Sequence, residues 1–520
     1  MVRFVGLLVV GITLLSARPA AACRVVEVTF TPTDDLQIVI WLEDAQGQFV
    51  DTAYITAAVG TYGIANRPGI LEFNSDILWP YGRRESVFPV WAHRHGLSFP
   101  RVVFQDGFDR DLSHPFDHSS LDPYFCRPLK VGEATETSTI DTGTCATMAF
   151  TDKGKFDPAF TSLYPPRNDL QPAPPVDSND SAMFAQLNTF DAVSRATPPG
   201  GMPHSVSFKV PATLPDGDYK VWVEVAKERD TNASYSYPSP SLTAYGDYGY
   251  AYRGQPSVVW TVPVHVDAAP HTGIALDYAG YGDPDGADGD VRGPDDTINS
   301  VVEGSGAQRL LVASATEGMY RVRAATSASD DGAPPTPPTD PTAQPTSATE
   351  AVLSFVEPDD PNVTGYEVLF AVGVEMTADN IDQIGHHVDV NIVRDAPGAT
   401  RTVAITGLFP QTKYWLGVRA HDDCLNHSLP AVAAVVTPPA AAGEVSTCFV
   451  ATAAYGSPLV DEVTRLRAFR DRYLRRQVVG ELLVEAYYTF GPAAAAVIRP
   501  SPDLRRLART ALAPVVDLIP

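Results

Sequence analysis

Short runs of β-branched and aromatic residues, each bounded by turn residues, recur along the chain and constrain its fold more than any other feature. They are Leu36–Leu42, Phe49–Ala57, Leu214–Glu224 and Val258–Val266. No helical period separates these runs, so we expect antiparallel pairing rather than a parallel sheet with crossover helices. The sequence therefore predicts a mainly β fold of antiparallel β-sandwich modules, with a small α-helical carboxy-terminal segment.

The first 22 residues have the three parts of a secretory signal. Arg3 supplies a positive charge, Val5–Leu15 is an apolar run, and small residues (Ala20-Ala21-Ala22) precede a cleavage point. The run is shorter than the roughly 20 residues that a membrane-spanning helix needs. We expect an exported bacterial protein, periplasmic, cell-surface or extracellular, whose mature chain starts at Cys23 and has no transmembrane helix. Lipidation of Cys23 stays open, although Ala20 stands where a lipobox usually has Leu.

The five cysteines suggest disulfides, because pairing is the usual state of sparse thiols outside the cytosol. Cys126 and Cys145 are close in sequence within a turn-rich region, and we expect them to pair. Cys424 and Cys448 flank the junction of the last two modules, and we expect a second pair there. Cys23 is then the odd residue, lipidated or free.

Proline-rich stretches divide the chain into modules. Residues 327–350 contain no large apolar side chain, and their prolines favour extended polyproline II geometry, which predicts a semi-rigid spacer. A shorter linker covers residues 438–447. A third cluster, Pro165–Asp180, lies within the β-rich amino-terminal region (residues 23–326) and is either a long loop or a boundary between two subdomains.

Residues 342–437 resemble a fibronectin type III domain. The stretch Gly407–Tyr414 (GLFPQTKY) is similar to the tyrosine corner of that family. The resemblance implies that Tyr414 is buried with its hydroxyl on upstream backbone and that Leu408 packs between the sheets. Tyr414, Leu416 and Val418 then point into the core at a period of two. Phe355 stands where the family usually has Trp.

Two short stretches of the amino-terminal region resemble a predicted-periplasmic domain family of unknown function. They read IWLEDAQGQFVDTAYIT and LPDGDYKVWVEVAKERD. The resemblance implies a location outside the cytosol and assigns no activity.

The chain changes from strand to helix patterns at its carboxy-terminal end, residues 448–520. The opening CFVATAAYGS resembles the CFI-box carboxy-terminal domain of exported bacterial proteins, with Val450 in place of the usual Ile. The residues that carry the resemblance are Cys448, Phe449, Ala451, Thr452, Ala453, Ala454, Tyr455 and Gly456. It implies a sorting signal recognised by export or envelope-attachment machinery. The alternative is a small helical domain whose arginines are solvated or paired with acidic neighbours.

Two groups of residues could ligate a metal ion. His93 and His95 would share a face if they lay on a strand, and with His114 and His118 they would supply four imidazoles for Zn or Cu. Asp283, Asp285, Asp288 and Asp290 alternate in an acidic loop, which suits Ca²⁺, although the spacing fails the EF-hand template. Ordinary loop histidines and a solvated acidic turn are the alternatives. The sequence establishes no cofactor, and Ca²⁺ is its candidate.

Composition narrows the function. With 38 Lys and Arg against 62 Asp and Glu, the net charge of −24 argues against nucleic acid as a partner. The sequence contains no G-x-S-x-G, H-E-x-x-H, P-loop or Rossmann motif. We therefore predict a modular structural or adhesion-type protein of the cell envelope, which displays a β-domain for a protein or carbohydrate ligand. The alternative is a secreted hydrolase or carbohydrate-binding enzyme with its site in residues 24–326.

Overall fold

A computed structural model describes most of the chain between Cys23 and Pro439. The described residues are 23–34, 36–61, 63–66, 83–103, 155–167, 187–190, 193–195, 197–227, 256–295, 297–298, 306–329, 333–372, 375–388, 392–406, 408, 412–439, 504, 506–508 and 510. The expected signal segment, Cys126, Cys145, His114, His118 and the segment 448–456 lie outside them. Among the described residues, no helix is both long and apolar enough to cross a membrane.

The first sandwich is formed by the described residues between 23 and 329. Its strands are β1 (Cys23–Phe30), β2 (Leu36–Asp44), β3 (Phe49–Thr56), β4 (Phe99–Val103), β5 (Lys155–Ser162), β6 (Ser194–Arg195), β7 (His204–Val210), β8 (Gly217–Lys227), β9 (Val258–Val266), β10 (His271–Ala275), β11 (Gly280–Tyr281), β12 (Ala313–Ala315), β13 (Gly318–Tyr320) and β14 (Val322–Ser329). Its helices are α1 (Ala57–Gly60), α2 (Pro89–Arg94) and a 3₁₀ turn at Gly306–Arg309.

Two sheets face each other in this sandwich. One has the order β10-β14-β1-β7 and the other has the order β11-β9-β8-β2-β3-β6. Neighbouring strands are antiparallel except β3 and β6. Strand β2 pairs with β8, so strands from both sides of the proline cluster at 165–180 belong to one sheet. Residues 168–180 of the cluster lie outside the described residues, and the choice between a long loop and a boundary stays open.

The centre of strand β2, Ile38–Leu42, is apolar without interruption because both of its faces are buried. Ile38 and Ile40 face the core between the two sheets. Val39 and Trp41 face a second apolar cluster on the other side of the sheet, where α2 contributes Trp91. A strand that is buried on both faces has no position for a polar residue to meet water.

The second sandwich follows and is smaller. Its elements are β15 (Thr339–Pro345), β16 (Ala351–Val356), β17 (Gly365–Val372), α3 (Ile381–Ile384), β18 (His386–His387), β19 (Ile392–Val393), β20 (Thr400–Ile405), β21 (Lys413–His421) and β22 (Ala431–Val436). One sheet has the order β15-β16-β20, and the other has the order β18-β17-β21-β22 with β19 also on β17.

The core of the second sandwich confirms the expected burial along β21. Tyr414, Leu416 and Val418 are all buried in one cluster between the sheets. Leu408 and Phe355 belong to the same cluster. The mainly β, antiparallel fold class is therefore confirmed.

The predicted spacer at 327–350 differs from the structure. Residues 327–329 complete β14, and Thr339–Pro345 forms β15, which pairs with β16. Prolines are tolerated in β15 because it is an edge strand, which needs ladder hydrogen bonds on one side only. The connection between the two sandwiches is therefore the short stretch between Ser329 and Thr339. Beyond residue 439, residues 504, 506–508 and 510 are helical, within the carboxy-terminal segment that was expected to be helical.

Candidate functional site

A disulfide joins the two sandwiches at the start of β1. Cys23 is bonded to Cys424, with 5.7 Å between the two Cα atoms and 401 residues between them in sequence. The expected pairing of Cys424 with Cys448 is therefore wrong. It relied on sequence proximity, whereas β1 and β14 pair so that Cys23 lies opposite Ser329, next to the point where the chain enters the second sandwich. Because the Cys23 sulfur is used in this bond, it carries no lipid here. The expected Cys126–Cys145 pair stays a prediction.

The loop after β21 presents Cys424 to the first sandwich. The buried Asp422 carboxylate accepts hydrogen bonds from the backbone N–H groups of Cys424 (2.9 Å) and Asn426 (2.7 Å). These bonds fix the loop on which Cys424 lies. Asn426 also accepts a bond from Lys209 of the first sandwich at 2.7 Å, and Ser329 donates to Asp423 at 2.5 Å. The loop is therefore joined to the first sandwich by one covalent bond and two hydrogen bonds.

A buried carboxylate on β17 forms a second contact between the sandwiches. Glu367 lies opposite Arg419 in the β17–β21 ladder, and Arg419 Nε is 2.6 Å from its Oε2 atom. His387 Nδ1 lies 2.9 Å from Oε1, and His427 Nε2 lies 3.5 Å from Oε2. The fourth group comes from the first sandwich: Arg195 of β6 has its Nη2 atom 3.3 Å from Oε1. We call these five residues the junction cluster.

Charge and burial decide the protonation of the junction cluster. Burial acts to raise the pKa of Glu367, but the nearby charges of His387, Arg195 and Arg419 outweigh it and hold the pKa well below its ordinary 4.5. Burial lowers the pKa of His427 to about 4. Glu367 is thus an anion with both oxygens engaged. It can hold the sandwiches together, and it is poorly suited to transferring a proton to a substrate.

The acidic loop at 283–290 is organised by an arginine. Arg292 Nη2 lies 3.3 Å from Asp283 Oδ1 and 3.1 Å from Asp288 Oδ2. Its Nη1 group also donates to Asp288 Oδ1 at 3.1 Å, and this bond lowers the pKa of Asp288. Asp283 caps the turn by accepting the N–H groups of Asp285 and Ala287. Arg292 therefore supplies the positive charge that the calcium hypothesis assigned to a metal ion.

The histidines at 93 and 95 lie on and after a helix rather than on a strand. His93 belongs to α2 and its Nε2 atom contacts Gly286 O at 3.1 Å. His95 follows the helix, and its ring is buried, with Nε2 2.9 Å from Leu163 O and Nδ1 accepting the N–H of Leu97. Burial lowers its pKa to about 4. The expectation of a shared strand face was wrong. Side chains that are two positions apart on a helix point in different directions. A four-histidine site with His114 and His118 stays a prediction.

Another buried acid lies inside the first sandwich. Glu224 of β8 has a pKa raised to about 7, because burial disfavours its charge. Its Oε1 atom accepts from Val90 N and Ser257 Oγ, and its Oε2 atom accepts from Trp91 N. These backbone groups lie in the first turn of α2. The carboxyl therefore accepts hydrogen bonds from N–H groups that have no partner within the helix. It is fully buried and cannot reach a substrate.

The sequence held one signal for the junction cluster. In β17, Leu369 and Ala371 are apolar on the face opposite the core residues Tyr366 and Val368, and this second face is buried too. A strand that is apolar on both faces predicts a covered outer face. A single acid in such a strand, Glu367, then requires a buried cation. No sequence signal identified Arg195 as one of the cations beside Glu367.

Three solved domains are each similar to about a fifth of this chain. No protein-family model and no curated protein matches this sequence. The solved structure of FN3tt is 17% identical with a TM-score of 0.16, covering 21% of this chain and 98% of that chain. The fn3 domain of human contactin 1 is 16% identical with a TM-score of 0.18, covering 21% of this chain and 84% of that chain. The FN5 domain of Drosophila Lar is 23% identical with a TM-score of 0.15, covering 20% of this chain and 97% of that chain. The structural neighbours are fibronectin type III domains, and the CFI-box and periplasmic resemblances stay predictions.

Proposed function

We propose that this chain is an exported, modular structural protein of the cell envelope. Its two sandwiches are clamped into one unit that displays the first sandwich to a protein or carbohydrate ligand. The observation that carries the proposal is the disulfide between Cys23 and Cys424. It joins the residue expected to follow signal cleavage to the far sandwich, and such bonds persist mainly in oxidising compartments.

The disulfide and the junction cluster support a structural role because they fix the relative position of the two sandwiches. Domains within one chain usually move unless their interface is large or well bonded. Here the disulfide and the junction cluster hold two separate points. A displayed domain that is held at two points keeps one orientation toward its ligand.

Attachment is assigned to residues 448–520. Their resemblance to a sorting domain suggests recognition by export or envelope-attachment machinery, and the acidic body, with its net charge of −24, disfavours nucleic acid. In this proposal the carboxy-terminal segment holds the protein at the envelope while the two sandwiches face outward.

Mass spectrometry of the native protein tests export and clamping together. We expect an intact mass that begins at Cys23 without a lipid, and a cross-linked peptide containing Cys23 and Cys424. Cys448→Ser is the matched control, because it leaves that peptide unchanged if Cys424 pairs with Cys23. A native chain that retains Met1, or a Cys424–Cys448 peptide, contradicts the proposal.

Deletion of residues 448–520 tests attachment. We expect the truncated chain to fold, to keep its Cys23–Cys424 bond and to appear in the medium rather than in the envelope fraction. Retention of the truncated chain at the envelope contradicts the attachment role. Unfolding of the truncated chain contradicts it too, because the segment is then part of the fold.

A further inference from the structure

The turn between β9 and β10 carries two histidines and an aspartate on one side. His265 is near the end of β9, His271 begins β10, and Asp267 lies in the turn between them. The rings of the two histidines are 5.0 Å apart between centroids and meet at 78°. All three side chains are partly exposed at the surface of the first sandwich. They are far in sequence from every residue of the junction cluster.

The ligating atoms of these residues already converge. His271 Nε2 is 2.8 Å from Asp267 Oδ1, and His265 Nε2 is 3.4 Å from Asp267 Oδ2. One ligand atom from each of the three residues lies within 4.8 Å of the others. A tetrahedral zinc ion with bonds of about 2.0–2.2 Å holds its ligand atoms roughly 3.3–3.6 Å apart. Small side-chain rotations therefore suffice to enclose an ion.

Two further groups hold the histidines in place. Asp218 of β8 lies opposite His265 in the β8–β9 ladder, and its Oδ1 atom is 2.6 Å from His265 Nδ1. A proton on Nδ1 that is donated to Asp218 leaves the lone pair on Nε2, the atom that faces Asp267. A carboxylate on the far nitrogen of a metal-binding histidine is the usual outer partner at such sites.

The backbone of the turn is fixed from below by a buried threonine. Thr326 of β14 accepts the N–H of His271 at 3.0 Å and donates its hydroxyl to the carbonyl of His265 at 3.0 Å. Its side chain thus ties the two ends of the turn together from the neighbouring sheet. The spacing of the two histidines is therefore set by the sandwich and does not depend on an ion.

We propose that His265, His271 and Asp267 bind one divalent transition-metal ion, with Zn²⁺ as the occupant, and that Asp218 orients His265 for it. Two imidazoles and one carboxylate are ligands that Zn²⁺ accepts, whereas Ca²⁺ and Mg²⁺ prefer all-oxygen sites. The partial exposure of the three side chains leaves a fourth position for water or an external ligand. This site is independent of the proposed envelope function.

Titration calorimetry of the whole chain, purified without a histidine tag, tests the site with Zn²⁺ as the probe. We expect one Zn²⁺ ion bound per chain at this site. Asp218→Ala should weaken Zn²⁺ binding about 10–100-fold, the usual effect of losing an outer partner. His265→Ala and His271→Ala should weaken it further, because each removes a ligand.

His386→Ala is the matched control, since it removes a partly exposed histidine of the second sandwich, away from the turn, and should leave the affinity unchanged. Circular dichroism without metal confirms that each variant folds. Cu²⁺ provides a second measurement: its electron paramagnetic resonance spectrum should show two coupled nitrogens in the unaltered chain and one in His271→Ala. The proposal is overturned if the unaltered chain binds no Zn²⁺, or if the His265→Ala/His271→Ala double variant binds it equally well.

Discussion

The two sandwiches each bury a glutamate, and the two carboxyls behave in opposite ways. Glu224 in the first sandwich meets two backbone N–H groups and a serine hydroxyl, and its pKa rises to about 7. Glu367 in the second meets Arg195, Arg419 and two histidines, and its pKa falls well below 4.5. Both lie in central strands, and burial disfavours the charge of both.

The difference shows that the partners, and not the burial, decide the charge of an interior acid. Neutral donors compensate only part of the lost hydration, so the carboxyl at Glu224 keeps its proton up to neutral pH. Fixed cations compensate more than the loss, so Glu367 stays ionised. The first arrangement completes a helix within one sandwich. The second joins two sandwiches, and each part of this comparison can be tested by substitution.

The largest effect is expected from Glu367→Ala. This change removes the buried anion beside Arg419 and His387 and leaves Arg419 only the exposed Asp382, and breaking a buried pair in this way costs about 3–5 kcal/mol. We expect the free energy of unfolding in urea to fall by that amount. Asp382→Ala is the control, because Asp382 also binds Arg419, at 2.7 Å, but is exposed. It should cost no more than about 1 kcal/mol, and equal losses in the two variants would show that the buried charge is not special.

The next effect concerns the pH dependence set by Glu224. Its pKa in the folded protein is about 7, above the ordinary 4.5, so its contribution to stability is complete below pH 4.5 and is lost as pH rises through 7. Between pH 5 and 8 the free energy of unfolding of the unaltered chain should fall by about 3 kcal/mol on account of Glu224. Replacement by neutral Gln should remove this fall. The slope is the readout, since the amide also changes the baseline. An unchanged slope in urea titrations at several pH values contradicts the raised pKa.

A smaller effect is expected at the acidic loop, where one arginine contacts the buried Asp283 and the half-exposed Asp288. Arg292→Met removes the partner of both acids and should cost about 1–2 kcal/mol, because the pair with Asp288 is worth little at the surface and the bond to the buried Asp283 is worth more. The same variant sharpens the calcium hypothesis. If the loop binds Ca²⁺ once Arg292 is gone, millimolar Ca²⁺ should raise the melting temperature of the variant more than that of the unaltered chain. Equal shifts in the two proteins leave no role for this loop in binding Ca²⁺.

The smallest effect is expected from His427→Gln. The pKa of His427 in the folded protein is about 4, below its ordinary 6.5, so the unfolded chain takes up the proton first as pH falls. Stability should therefore decline from pH 6.5 toward 4, and the neutral variant should decline less. His427 is partly exposed, so the change should be smaller than that of Glu224→Gln. Parallel acid titrations of both proteins measure it.

Much of the fold could be predicted from local sequence. Strand β9 has the bounds expected from the sequence, Val258–Val266, and Tyr414 and Leu408 lie in the core as the fibronectin type III resemblance implied. Local propensity failed where tertiary position overrides it. Thr339–Pro345 is a strand despite its prolines because it is at an edge. His93 is helical because it lies in the short helix α2, whose first turn donates backbone hydrogen bonds to the buried carboxylate of Glu224.

The candidate site was less predictable, because it depends on residues that are distant in sequence. Nothing local links Cys23 to Cys424, or Arg195 to Glu367, since only the pairing of β1 with β14 and of β3 with β6 brings them together. The turn at His265 is different. Two histidines and an aspartate within seven residues, beside a strand ending, were available to sequence analysis as a metal-ligand pattern.

The bond between Cys23 and Cys424 also sets how the molecule carries tension. A pull on the carboxy-terminal end can peel β22 away, but extension stops at Cys424, because all residues back to Cys23 form a closed loop. The force then passes to the start of β1, which is flanked on both sides by β7 and β14. Pulled along its length, such a strand resists by shear, with many hydrogen bonds strained together instead of one after another.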